Sequence, residues 1–262
     1  DRIFYPEQHS KWNGFRMNLA KRKSKRLHSV KTKLEKVKLR NEISQIYIEF
    51  SMLYDLYQYP IFFNGLLSKN RNAQFTGDLT PSHCYLERKE LSIIKRMLEV
   101  SGFRIKVIFA MRDPIERIYS HLRMVERNNS ASYAFPKEAH KFTTASESFP
   151  EFFRQRNLER CSRYERTIRD IEAIFSPDQI KYLFFEEYFS NKYIKELCKF
   201  LELPYKKPEL DTYYNRTENN LPLSEELKIE AAIFYADTYK FIAKKFYKKK
   251  IEELWPLSKS VV

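Results

Sequence analysis

The chain has 262 residues, enough for one α/β domain with elaborations. Its 48 Lys and Arg against 34 Asp and Glu give a net charge of +14, which points to an anionic ligand or surface and says little about fold. With 21 Phe and 18 Tyr but only 4 Gly, it is neither a disordered chain nor a Gly-rich repeat protein. Cys84, Cys161 and Cys198 are too few and too widely spaced for a zinc site or a disulfide scaffold. Their odd number suits a reducing compartment, although one pair could bridge. No run approaches the roughly 18 apolar residues of a membrane span, and residues 1–20 lack a signal-peptide pattern.

Residues 11–40 hold 12 Lys/Arg and a single acid, Glu35, with Leu27, Val30, Leu34 and Val37 at helical spacing. That predicts a basic amphipathic helix, either a solvated face or a platform for an acidic acceptor or a lipid-headgroup surface. The spacing continues through Ile43, Ile46, Phe50 and Tyr57, and Pro60 is expected to end the helix. Residues 11–58 thus read as a basic helical insertion in a single domain spanning 1–262. A short helical piece follows at 61–67, and residues 74–82, with Gly77 and Pro81, read as a short strand ending in a loop. A helix over 87–99 leads through Ser101-Gly102 into an apolar run, 105–111, with the branched content of a strand covered on both faces.

Asp113-Pro114 punctuates that run. Asp is a good N-cap, Pro fits the first helical turn, and Ile115, Ile118, Tyr119 and Leu122 follow at helical spacing. Arg112 therefore stands at a strand end beside a helix N-terminus, an arrangement suited to a phosphate, and Ser120 lies about two turns up the helix. The plain alternative is a capped strand–helix unit with an exposed Arg and Ser. Residues 128–148 are polar and read as a mobile loop. Helices are expected at 149–157 and 162–175, a strand at 180–185 ending in Glu186 and Glu187, a helix at 192–201, and a last helix at 225–248 capped by Ser224. Strands alternating with helices predict an α/β layered domain with a parallel sheet of which three strands are visible.

Several stretches, taken together, resemble one family. Thr76-Gly-Asp-Leu-Thr-Pro-Ser-His-Cys-Tyr85 resembles the Gly-Glu-Lys-Thr-Pro-x-Tyr loop of sulfotransferases that use 3'-phosphoadenosine 5'-phosphosulfate. Arg112-Asp-Pro-Ile-Glu-Arg-Ile-Tyr-Ser120 resembles their 3'-phosphate element, an Arg followed eight residues later by a Ser. Ser162-Arg-Tyr164, Phe175 to Tyr188, Cys198-Lys-Phe-Leu-Glu-Leu203 and Ile233-Phe-Tyr235 are similar to downstream elements in the same order. The resemblance implies a three-layer α/β/α domain with a central parallel sheet, like the P-loop nucleoside-triphosphate hydrolases. Two departures stand out. The family's Gly-x-x-Lys-x-Gly-Thr-Thr loop, which cradles the 5'-phosphosulfate, occurs nowhere in the chain, and a segment carrying it is expected to precede Asp1. Leu79 stands where the family often has Lys.

The activity so implied is transfer of a sulfuryl group to a hydroxyl or amine of a glycan, lipid or small molecule, leaving adenosine 3',5'-bisphosphate. Such transfer asks for in-line positioning, charge neutralisation and a general base for the acceptor. Asp78 occupies the position of the family's catalytic Glu, one methylene shorter; otherwise it is a turn residue after Gly77. His83 is the second candidate base, or a His bonded to backbone. Arg112 and Ser120 are assigned to the 3'-phosphate. Arg163 and Tyr164 are candidates to reach the nucleotide, though a helical Tyr is commonly core, and Arg216 is a candidate for the donor phosphates. Glu186 is placed to orient a loop or acceptor, and Arg117 is expected to pair with Asp113 on the helix surface.

No metal is expected, since paired His/Cys spacings are absent. No recognised nucleic-acid motif is present, so the basic balance is not read as nucleic-acid binding. The expected partners are the sulfonate donor nucleotide, an anionic or hydroxylated acceptor, and a membrane surface met by residues 11–40. The expected compartment is the cytoplasm, or the Golgi lumen in a eukaryote, where Asn128-Asn-Ser130 and Asn215-Arg-Thr217 would be glycosylation acceptors. Two other classes stay open: a non-catalytic polyanion or membrane binder, and another P-loop transferase such as a small-molecule kinase.

Overall fold

A computed structural model describes residues 6–69, 72–128, 144–210 and 222–262. In chain order its helices and strands are α1 (Pro6–Ser29), α2 (Lys33–Tyr54), α3 (Gln58–Ser68), α4 (Arg88–Val100), β1 (Val107–Met111), α5 (Pro114–Asn128), α6 (Ala145–Phe152), α7 (Arg156–Ser162), α8 (Tyr164–Ile174), β2 (Ile180–Phe184), α9 (Phe185–Tyr188), α10 (Asn191–Phe200), α11 (Glu225–Phe234), α12 (Ala236–Phe246) and α13 (Lys248–Leu254). They fall into two compact units, Asp1–Thr80 with Ile93–Arg104, and Pro81–Ser92 with Ile105–Val262.

In the first unit the basic stretch is two helices instead of one. Thr32 caps α2, its hydroxyl oxygen accepting the Glu35 N–H at 3.3 Å and its O–H donating to the Glu35 carboxylate at 2.8 Å. The chain therefore turns at residues 30–32 and α2 runs back along α1. Ala20 packs with Ile46, and Lys23 pairs with Glu42, as an antiparallel helical hairpin requires. Leu34 and Val37, expected on an inward stripe, are exposed. Pro60 lies in the first turn of α3, where its missing N–H has no helical partner to lose, so it opens a helix and does not end one.

Residues 73–80 form no strand. Leu79 is 96% exposed and Phe75 is also exposed, so their apolar side chains have nothing to bury against. The segment bends instead around Asp78, whose carboxylate accepts the Thr80 hydroxyl two residues on.

The second unit holds the sheet. β1 and β2 pair in parallel with Val107 opposite Ile180 and Met111 opposite Phe184, and they are the two strands of the sheet among the described residues. Phe109, Tyr182 and Phe184 share one face and meet α8, α12 and the segment after α13 through Tyr164, Phe246 and Trp255. On the other face Lys181 pairs with Glu196 of α10. Helices thus cover both faces of β2. β1 differs from the expectation of full coverage: Ile108, 39% exposed, and Ala110 lie on an open face.

α5 follows the predicted pattern, with Ile115, Ile118, Tyr119 and Leu122 buried against α6 and α11. The core continues through Phe149, Phe152, Tyr235, Tyr239, Ile242 and Trp255. Most of the expected loop 128–148 lies outside the described residues. At its end Thr144 and Glu147 form a reciprocal capping box, so α6 begins at Ala145, four residues before the expected start. The expected last helix, 225–248, is two helices, α11 and α12, and α13 begins at its final residue. Tyr247, at φ 75°, separates α12 from α13, while Ser224 caps α11 by accepting the Leu227 N–H at 3.3 Å.

Candidate functional site

The backbone of the β1–α5 junction is held by three side chains, Asp113, Glu186 and Tyr164. Asp113 is 3% exposed and accepts the N–H groups of Ile115 at 2.9 Å and Glu116 at 3.2 Å, while the Tyr239 hydroxyl donates to its other oxygen at 2.9 Å. Burial pushes its carboxyl up to about 6, against these hydrogen bonds, which favour the ionised form. Glu186, first in α9 after Phe185, accepts the Asp113 N–H at 3.2 Å. Tyr164, fully buried at the start of α8, donates its hydroxyl to the Arg112 carbonyl at 2.8 Å.

These contacts alter the expected anion chemistry. The N–H groups at the start of α5 point at Asp113 and are already satisfied, so they do not present an open phosphate cradle. What remains for an anion is side-chain chemistry. The Arg112 guanidinium lies 4.6 Å from the centre of the Phe185 ring and pairs with Glu116 at 3.3 Å. Because Glu116 and Ser120 are one helical turn apart, that ion pair lays Arg112 along the stripe of α5 that carries Ser120. Phe185 packs edge-on against Tyr188 and Phe189, an aromatic wall beside Arg112 with no counterpart in the sequence motif.

Arg117 departs from its expected place. It is not a surface partner of Asp113: it turns inward, donates to the Ser162 hydroxyl at 3.3 Å, and lies among Cys84, Tyr85, Cys161 and Tyr164. Its charge joins burial in pulling the neighbouring His121 imidazole down to about 4, so that ring is neutral near pH 7. Arg163 donates to Glu159 at 2.6 Å, and its guanidinium lies 5.2 Å from the Phe234 ring. It joins α7 and α8 to α11. Tyr164 is a core side chain that grips Arg112 from behind, touching Phe109 and Trp255 with its ring.

Asp78 belongs to the first unit. It is exposed, and besides Thr80 it accepts the Tyr59 hydroxyl of α3 at 2.9 Å. The two donors bind different oxygens and fix the carboxylate's orientation. Burial, with the Asp78 charge beside it, raises the Tyr59 phenol well above its ordinary range, so it stays a donor. His83 belongs to the second unit, exposed on the 3₁₀ turn Pro81–Tyr85. Arg216 lies outside the described residues. Among the described residues no group of His, Cys, Asp and Glu is suited to a metal ion, and no helix is long and apolar enough to cross a membrane.

In a comparison with known families, the model of the sulfotransferase domain aligns with residues 19–257, from within α1 to the turn after α13. No curated protein and no solved structure matches the chain.

Proposed function

The chain belongs to the sulfotransferase-domain family, whose fold is P-loop-like, and on that premise we propose that it transfers a sulfuryl group from 3'-phosphoadenosine 5'-phosphosulfate to a hydroxyl or amine of a glycan, lipid or small-molecule acceptor. The observation that carries the proposal is the Arg112–Glu116–Ser120 stripe at the C-terminal end of β1. A planar guanidinium and a hydroxyl on one face suit the tetrahedral oxygens of the donor's 3'-phosphate. Glu116 does not bar that role. Its pair with Arg112 is half exposed, and such pairs hold by roughly 1 kcal/mol or less, so a phosphate dianion displaces it.

When bound, the donor supplies an activated sulfuryl group on a phosphate leaving group. The chain's own residues supply position and proton handling. Tyr164 and Glu186 fix the backbone from which Arg112 projects, so the guanidinium is set before the nucleotide arrives. Asp78 takes the acceptor proton on a carboxylate that the Tyr59 and Thr80 hydroxyls orient. His83 is the second candidate for that step. The sequence contains no loop of the family's phosphosulfate type, so no step is assigned to that end of the donor.

The decisive measurement is thermal stability with adenosine 3',5'-bisphosphate. It should raise the melting temperature of the protein, and Arg112→Ala should abolish most of the rise. No rise with the unaltered protein, or an equal rise with ATP and Mg²⁺, would sink the proposal, the latter in favour of a kinase.

A second activity is favoured by the exposed cations Lys21, Arg22, Lys25, Arg26, Lys33 and Lys38 of the α1–α2 hairpin. They suit an anionic acceptor or an anionic lipid surface. Retention on heparin or on vesicles rich in phosphatidylserine should fall steeply with salt and ignore Arg112→Ala.

A further inference from the structure

Away from the nucleotide site, the 3₁₀ turn Pro81–Tyr85 is fastened to α7. The Tyr85 hydroxyl donates to the Asn157 carbonyl at 3.2 Å, and Arg160 donates to the Tyr85 carbonyl at 2.5 Å and to Glu87 at 2.8 Å. Inside that clamp Cys84 and Cys161 share a thiol–thiol hydrogen bond, and neither is in a disulfide. Cys84 is half-buried and Cys161 is 7% exposed. The clamp is made by other side chains, so the two sulfurs are held together whether or not they bond. Arg117 adds a half-buried positive charge beside them, also hydrogen-bonded to Cys161.

We propose that Cys84 and Cys161 are a redox-sensing pair, closing to a disulfide when the protein meets a hydroperoxide and reopening with a dithiol.

The chemistry balances with peroxide as the oxidant. The Cys161 thiolate attacks one peroxide oxygen; the S–O bond forms, the O–O bond breaks, and the departing hydroxide takes a proton to become water. The Cys84 sulfur then attacks the Cys161 sulfenic acid; the S–S bond forms, the S–O bond breaks, and the second hydroxide leaves as water with the Cys84 proton. Two thiols and one hydrogen peroxide become one disulfide and two waters, with two electrons passing from sulfur to oxygen. The division of labour follows from the surroundings. The Cys84 thiol donates to Cys161, and Arg117 also favours its anion against burial, so Cys161 is the more acidic thiol. Cys84 is raised by that same hydrogen bond and by burial, which suits the resolving partner. Cys198, half-buried and outside the pair, is an internal reference.

The test treats the reduced, full chain with increasing hydrogen peroxide and maps thiols after denaturation. Expected are loss of two of the three titratable thiols, a mass lower by two hydrogens, and a non-reducing peptide joining Cys84 to Cys161 that dithiothreitol separates. Cys161, whose anion the Cys84 thiol and Arg117 favour, should react about tenfold faster than Cys198 at neutral pH. Cys84→Ser should stop at a Cys161 sulfenic acid that dimedone labels, whereas Cys198→Ser should leave the cross-link unchanged. Prior loss of Cys198, cross-links only between chains, or methionine oxidation with Cys84 and Cys161 still titratable would each overturn the proposal. The mapping on the unaltered chain decides the matter even where a variant fails to fold.

Discussion

The Tyr164 hydroxyl donates to the main-chain carbonyl of Arg112 at 2.8 Å, so the residue assigned to the nucleotide is held by a core tyrosine behind it. Tyr164 is not itself open to a ligand, being buried between Phe109 and Trp255. Tyr164→Phe keeps the ring and deletes the donor. The stranded carbonyl should cost about 1–2 kcal/mol of stability, read as a lower denaturation midpoint with unchanged slope. Affinity for adenosine 3',5'-bisphosphate should fall while circular dichroism stays native. Unchanged affinity would detach Tyr164 from the site.

Glu116 competes for Arg112. Glu116→Gln should free the guanidinium and tighten adenosine 3',5'-bisphosphate binding by a modest factor, below about 1 kcal/mol, and more at low salt than at high. Isothermal calorimetry at two ionic strengths measures both. Weaker binding in the variant would mean that Glu116 orients Arg112 productively.

Asp113 ties stability to pH. Its folded carboxyl titrates near 6, above the 3.8 of an ordinary Asp, so between those values the folded state binds more protons than the unfolded one. Its contribution to stability therefore declines as pH rises from about 4 to about 6 and is flat beyond, a loss on the order of 3 kcal/mol. Asp113→Asn, which keeps an oxygen to cap α5, should flatten that slope. Equal slopes in urea unfolding across this range for both proteins would refute the assignment.

Asp78→Asn should reduce turnover roughly 10²-fold or more, the scale of a lost general base, with adenosine 3',5'-bisphosphate affinity unchanged. Tyr59→Phe should have a smaller effect, because it removes one orienting donor. If His83→Gln proves the more damaging change, the base is His83.

Tyr247 joins α12 to α13 at φ 75°, where a side chain is strained, and its own is 69% exposed. Tyr247→Gly should raise stability by about 1 kcal/mol, visible as a higher melting temperature. A decrease would show that the ring's packing outweighs the strain.

Local signals carried the parts of the structure that depend on local physics. Asp113-Pro114 followed by Ile115, Ile118, Tyr119 and Leu122 specifies α5, and Ser224 caps α11 as its chemistry suggests. The break at residues 30–32 was legible too: Thr32 followed by Glu35 is an N-cap pair lying inside a continuous apolar spacing that outvoted it. Other features had no local trace. Arg117 turns inward because α7 and the Pro81–Tyr85 turn meet α5 there, and the meeting of Cys84 with Cys161 comes from the same packing. Residues 74–82 have strand-like content, but a strand exists only where another offers its hydrogen bonds. The satisfied N-terminus of α5 could not be read from sequence either, since Asp113 as a cap and a helix end open to phosphate share one signature.

The parallel pairing of Val107 with Ile180 dictates an order of assembly. A ribosome must complete β2 before β1 gains it as a neighbour, and α9, which brings Glu186 and Phe185 to the junction, arrives later still. Until then the edge of β1 that takes β2 is open, and the start of α5 lacks its Glu186 contact. That interval is when the chain is most exposed to aggregation and most in need of a chaperone. Truncations ending before residue 180 should accumulate on holdases more than chains that include β2 and α9.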